Sequence, residues 1–332
     1  TAIRALQEQG VPHAHCVVVI EFCEESGSFD LPHYIEHLGD RLRTPSLVVC
    51  LDAECGNYDQ LWSTTSLRGN LVGTLSVDVL TEGVHSGAAS GIVASSFRVL
   101  RALLSRIEDE ATGEILVDEI HAPISDQRLE QTRKTAAVLK DTAWTKFPWA
   151  NDMRPMMDDV TELLLNGTLR PTLSVTGASG IPEMGNAGNV LRPNTSVKLS
   201  FRLPPTSDPD HAARAVKRML EQDPPYNARV SFEVESAMGG WTAPEVAPWL
   251  HESMSKGSKA FFGADVMYMG TGGSIPFMGM LGEFFPDAQF LVTGVLGPHS
   301  NAHGPNEFLE IQTGKNVTAC VAQVLGDHFN RS

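Results

Sequence analysis

The stretch Leu47-Val48-Val49-Cys50-Leu51-Asp52 is a run of five apolar residues that ends on a carboxylate. A run this short, without polar residues alternating through it, reads as a strand buried on both faces, the pattern of a parallel sheet. Open α/β sheets place their ligands beyond the carboxyl ends of the strands, so Asp52 is a candidate functional residue. Upstream, His15–Phe22 is a second apolar run, read as a neighbouring parallel strand, and Glu24-Glu25-Ser26-Gly27-Ser28 follows it directly. Parallel neighbours would set Asp52 and the Glu pair on one rim. Adjacent carboxylates at a strand end can divide the labour, one holding a cation while the other moves protons on a bound water.

Downstream the pattern changes at Leu67. Leu71–Thr81 alternates apolar and polar residues, as a sheet with one covered face does, and Ile92–Ile107 repeats apolar residues at helical spacing. Further helices are expected at Asp126–Leu139, Met157–Leu165 and Asp208–Leu220, with strands at Thr172–Thr176, Ser196–Leu203 and Arg229–Glu235. Past Gly239-Gly240 the α/β rhythm returns: helix Ala247–Phe261, strand Val266–Met269, helix Ile275–Phe284, strand Gln289–Val295 and a closing helix Leu309–Phe329. The expected fold is therefore α/β with a mixed or parallel sheet. An α+β domain over 67–240 is inserted between its two pieces, 1–66 and 241–332.

The second piece holds another candidate, the Gly/Pro-rich segment Gly294–Glu307, which follows an apolar strand and contains His299 and His303. Two carboxylates and a histidine from three strand ends form a hard, oxygen-rich set with one nitrogen. Such a set suits Zn²⁺, Mn²⁺ or Co²⁺ in a hydrolase. Arg202 ends an alternating strand and offers a planar fork for a carboxylate or oxyanion. Gly272-Gly273-Ser274 precedes a helix amino terminus, where free N–H groups attract anions or Ser274 caps the helix.

Composition narrows the function classes. The net charge is −15, and no Lys/Arg cluster interrupts it, which excludes nucleic acid and an anionic membrane as main partners. No apolar run approaches the roughly 20 residues of a membrane span. The five cysteines are odd in number and lie mostly in or beside apolar runs, as buried thiols of a cytoplasmic protein do.

Seven motifs carry a resemblance. Glu24-Glu25-Ser-Gly-Ser, Cys50-Leu51-Asp52, Val84-His85-Ser86-Gly87, Asn189-Val190, Phe201-Arg202-Leu203-Pro204, Gly272-Gly273-Ser274-Ile275-Pro276 and His303-Gly-Pro-Asn306-Glu307 occur in this order. In this the chain resembles the M20 metallopeptidases, most closely the dipeptidase branch that includes the carnosinases. The resemblance implies amide hydrolysis by water activated on two Zn²⁺ ions, with Mn²⁺ or Co²⁺ as substitutes. It implies Glu24 as general base, Glu25 and His303 as ligands of one ion and Asp52 as ligand of the other. His85 and Asn189 would reach across a homodimer formed by the inserted lid domain, His85 to hold the oxyanion. Arg202 and the Gly272-Gly273-Ser274 loop would bind a small peptide or N-acyl amino acid. The family also carries an upstream His-x-Asp strand and a bridging Asp. Neither has a counterpart in the 23 residues before Glu24, so the expectation is an amino-terminally truncated chain that is inactive as it stands. An N-acyl amino acid deacylase of the same family and a non-catalytic binding or dimerisation homologue are the alternatives.

Overall fold

The computed structural model describes residues 1–331, the side chains of Glu25 and Pro276 excepted. The chain divides into two compact units, the first made of Thr1–Leu67, Ile124–Thr168 and Trp241–Ser332, the second of Arg68–Pro123 and Leu169–Gly240.

In the first unit, Leu47–Cys50 pairs in parallel with Gln289–Val292. A separate three-stranded sheet runs Met267–Thr271, Trp62–Leu67, Trp241–Thr242, parallel in the first pairing and antiparallel in the second. Helices Pro248–Phe261 and Ile311–Asn330 bury Leu250, Met254, Val317 and Val324 against Leu61 and Leu291. Helix Asp126–Leu139 lies inside the span expected for the insert, yet it packs in this first unit. The reason is polar anchoring: Thr135 Oγ1 donates to the Tyr268 carbonyl and buried Arg128 donates to the Ala243 carbonyl, each at 2.6 Å.

The expectation of a buried strand at His15–Phe22 is corrected by the structure. The segment joins no strand ladder among the described residues, and Val18 and Ile20 are 67% and 71% exposed. Strand propensity expresses fit to a neighbouring strand and a covered face, and this run has neither. Trp62–Leu67, by contrast, is a strand the hydropathy pattern misses: Ser63, Thr64, Thr65 and Ser66 are all buried in it.

The second unit is a four-stranded antiparallel sheet in the order Thr172–Ser179, Asn194–Leu203, Gly69–Asp78, Arg229–Met238. The alternation seen in the sequence is the alternation of burial along Gly69–Asp78, with Leu71, Leu75 and Val77 fully buried. Helices Ser96–Leu104 and Pro209–Glu221 cover that face. Their starts are written in their caps: Ser95 accepts from the Arg98 N–H at 3.2 Å and Asp208 from the His211 N–H at 3.0 Å. Burying each large side chain of this core contributes about 1.5–3 kcal/mol.

Candidate functional site

Asp52 follows the strand Leu47–Cys50 by two residues and is exposed. Glu24 opens the 3₁₀ turn Glu24–Ser26, which Gly27 closes in the left-handed conformation at φ 98°. The two carboxylates meet electrostatically at Cys50. Burial pushes the Cys50 thiol up to about 12, and the charges of Asp52 and then Glu24 add to that rise. Glu24 and Asp52 thus both lie within electrostatic reach of Cys50. The side chain of Glu25 lies outside the described residues.

The His303 loop comes to this strand end by register. Beyond the paired strands the two chains continue side by side: Thr293 N–H donates to the Cys50 carbonyl and Cys55 N–H to the Leu296 carbonyl, both at 3.0 Å. Gly294 permits the approach, because a Cβ there would fall 1.8 Å from the Ala53 carbonyl oxygen. In the loop itself His299, Asn301, His303 and Asn306 all have positive φ, between 58° and 66°. Left-handed conformations in non-glycine residues cost about 1–3 kcal/mol each and persist where surrounding contacts impose them. His303 is exposed, its N–H donating to Glu307 Oε2 at 3.2 Å.

Gly272, Gly273 and Ser274 are half-buried at the end of the strand Met267–Thr271. The N-cap of the following helix Pro276–Phe284 is Ile275, which has no capping oxygen, so the alternative of Ser274 as N-cap is corrected.

The remaining candidates stand in the second unit. His85 lies in the short strand Val84–His85, opposite Val190, and the Ser86 N–H donates to the Asn189 carbonyl at 2.9 Å. His85 and Asn189 are therefore neighbours on one exposed ribbon. Gly87 leaves room for the imidazole, since a Cβ would approach its Cε1 to 3.0 Å. Arg202 sits between Asn70 and Thr172 in the sheet register. Near it is a residue the sequence reading passed over, buried Arg68, which donates to Thr172 Oγ1 at 3.0 Å. Burial, and next the charge of Arg202, lower the Arg68 guanidinium to about 10. A single Arg before a strand carries no sequence signal of such a partnership.

Asp52 and His303 have the donor chemistry for a divalent ion. However, no group of three or more His, Cys, Asp or Glu that could hold one occurs among the described residues. Asp52 and His303 do not make a metal cage by themselves.

Residues 65–227 match the family described as the peptidase dimerisation domain M20_dimer. The chain carries an M20 peptidase dimerisation domain. Beyond this domain the likeness extends over nearly all of the sequence. The chain is 25% identical over 335 residues to the cysteinylglycine-S-conjugate dipeptidase of Corynebacterium striatum, covering 98% of this chain and 69% of that protein. It is 26% identical to the β-Ala-His dipeptidase of Mus musculus, covering 99% of this chain and 67% of that protein. Among solved structures, human carnosine dipeptidase 1 superposes with a TM-score of 0.70 at 19% identity, over 98% of this chain and 70% of that one. The M20 metallo-carboxypeptidase Sso-CP2 of Sulfolobus solfataricus does so at 0.75 and 20%, over 98% and 74%. The mixed α/β fold around the dimerisation domain is the fold of these peptidases. The chain spans about two thirds of the length of these dipeptidase relatives. No helix among the described residues is long and apolar enough to cross a membrane.

Proposed function

We propose that this chain is the larger part of a metal-dependent amide-bond hydrolase of M20 type that cleaves dipeptides. One observation carries the reading: the segment that bears Asp52 is hydrogen-bonded to the segment that leads into the His303 loop, Thr293 N–H to the Cys50 carbonyl and Cys55 N–H to the Leu296 carbonyl. Two carboxylates and an imidazole from separate segments suit water activation next to a peptide carbonyl. The relatives named dipeptidases are matched over almost the whole chain, which supports the same reaction class.

In this reading Glu24 takes a proton from the attacking water and returns it to the leaving amine. The chemistry that divalent metal, by resemblance two Zn²⁺ ions, would supply there is polarisation of a peptide carbonyl. Glu25, Asp52 and His303 serve the metal as part of a larger donor set. In the first unit the Gly272-Gly273-Ser274 loop offers backbone N–H groups to a substrate carboxylate, and in the second Arg202 offers its planar fork to a carboxylate or oxyanion. His85 and Asn189, paired on their ribbon, act across a homodimer built by the dimerisation domain, in a cytoplasmic protein.

The test is hydrolysis of Cys-Gly and β-Ala-His with added Zn²⁺ or Mn²⁺, together with the metal-to-protein ratio by elemental mass spectrometry. Metal-stimulated release of the free amino acid, abolished in Glu24→Gln, supports the reading. Metal bound at a ratio near two with no cleavage of either peptide contradicts it.

A further inference from the structure

We propose that Tyr58 is a positioning residue, fixing the His303 loop through a hydroxyl clamp on the Pro298 carbonyl. The inference rests on the reading above of His303 as a functional side chain. Tyr58 Oη donates to the Pro298 carbonyl at 3.0 Å, across 240 residues of sequence. Its ring fills the space left by the absent side chain of Gly297, where a Cβ would stand 2.3 Å from ring atom Cε1. The contact is thus built from both sides, a donor and a glycine that admits it. Burial raises the Tyr58 hydroxyl above its ordinary range, with Cys55 and Glu310 adding to the rise, so it stays protonated and a donor at neutral pH.

The loop needs such an anchor. With His299, Asn301, His303 and Asn306 at positive φ it has no helix or ladder to hold its shape. Several of its hydrogen bonds close it on itself: Asn301 Nδ2 to the Pro305 carbonyl at 2.6 Å, Ser300 Oγ to the Gly297 carbonyl at 2.7 Å, and Phe308 N–H to the Ser300 carbonyl at 3.1 Å. Tyr58 instead ties it to the segment that carries Asp52. That segment already lies against 293–297 through the Cys55 N–H and the close approach of Gly294 to Ala53. The clamp therefore extends the alignment of the two segments as far as Pro298, and it fixes the spacing between Asp52 and His303.

Tyr58→Phe keeps the ring against Gly297 and removes only the donor. Hydrogen exchange in the 332-residue chain is expected to speed up about tenfold at amides 299–308 and to stay unchanged at 289–292. With β-Ala-His as the probe, kcat is expected to fall about tenfold while KM stays within about twofold. Gly297→Ala, which drives the ring away, should give the same loop signature from the other side. Unchanged exchange at 299–308 in both variants overturns the clamp, and so does equal loss of protection in loop and strand, which marks a merely structural role. Unchanged kcat in a hydrolysing protein overturns the positioning role. If the parent chain cleaves no peptide, the functional reading fails separately, and the exchange measurement alone decides for or against the clamp.

Discussion

The strands Gly69–Asp78 and Leu47–Cys50 solve different problems. The first is ten residues long and paired along its length on both sides, with its apolar positions sealed in one continuous core. The second is four residues long, and Gln289–Val292 is its partner in a two-stranded sheet. A long strand in full register gives rigidity and leaves little backbone for chemistry. A short one releases its chain early, and here the released residues include Asp52, with Glu24 and the His303 loop beside them. The sealed core and the proposed site are thus placed in different parts of the sequence.

The sharpest way to break that contrast is to remove mass from each side. Phe232→Ala in the sealed core should cost about 3–5 kcal/mol in denaturant unfolding. Leu51→Ala, at a position 65% exposed beside Asp52, should stay within about 0.5 kcal/mol. Equal costs would erase the distinction between the sealed core around Gly69–Asp78 and the open end of Leu47–Cys50. Next in size, Glu24→Gln should lower dipeptide turnover by about 10² or more and leave the unfolding midpoint unchanged, as loss of a proton-transfer group does. A fall in both would move Glu24 from chemistry to scaffold. Arg202→Met should raise KM about tenfold for a dipeptide and have little effect on its carboxamide, the mark of a lost charged hydrogen bond. Equal effects on both substrates would take the carboxylate away from Arg202.

The smallest effect concerns His328, where Ser46 Oγ lies 3.0 Å from Nε2 and Arg331 also donates to Ser46, at 2.7 Å. Burial, and next the charge of Arg331, hold the His328 imidazole below its ordinary range, so the folded state favours the neutral ring. The stability this provides is complete above the unfolded imidazole value of about 6.5 and is lost as pH falls toward the lower folded value. The melting temperature should therefore drop slightly on acidification from pH 7 to 5.5, and His328→Gln should flatten the drop. An identical slope in the variant would assign the acid sensitivity elsewhere.

Much of the fold was legible because its signals are local. Helix Asp126–Leu139 has the limits its sequence predicts, with Ser125 as its cap, and the alternating run Leu71–Thr81 overlaps the strand Gly69–Asp78, which ends sooner. Trp62–Leu67 escaped because its hydroxyl side chains look polar but are buried. Thr64 Oγ1 and Ser66 Oγ even lack a hydrogen-bond partner among the described residues. His15–Phe22 misled for the opposite reason, since apolar character alone does not supply a neighbouring strand. At the site, Asp52 was readable from an apolar strand followed by a carboxylate, whereas Glu24 was read from a strand that does not form. The placing of Asp52 beside the His303 loop depends on the pairing of Leu47–Cys50 with Gln289–Val292, which no local pattern encodes. Tyr58 and Arg68 were invisible for the same reason: each acquires its role from a residue far away in sequence.

That distance has a consequence during synthesis. Tyr58 and Pro298 are 240 residues apart, and the strand Leu47–Cys50 is separated from its partner by a comparable length. At about 5–20 residues per second, a ribosome needs roughly 12–48 s to deliver the second segment after the first. During that interval the nascent chain carries an unpaired apolar edge, and every strand of the antiparallel sheet, ending at Met238, is made before it closes. The core of the second unit can therefore form co-translationally, and the Asp52 end is the part whose maturation waits until Gln289–Val292 has been made.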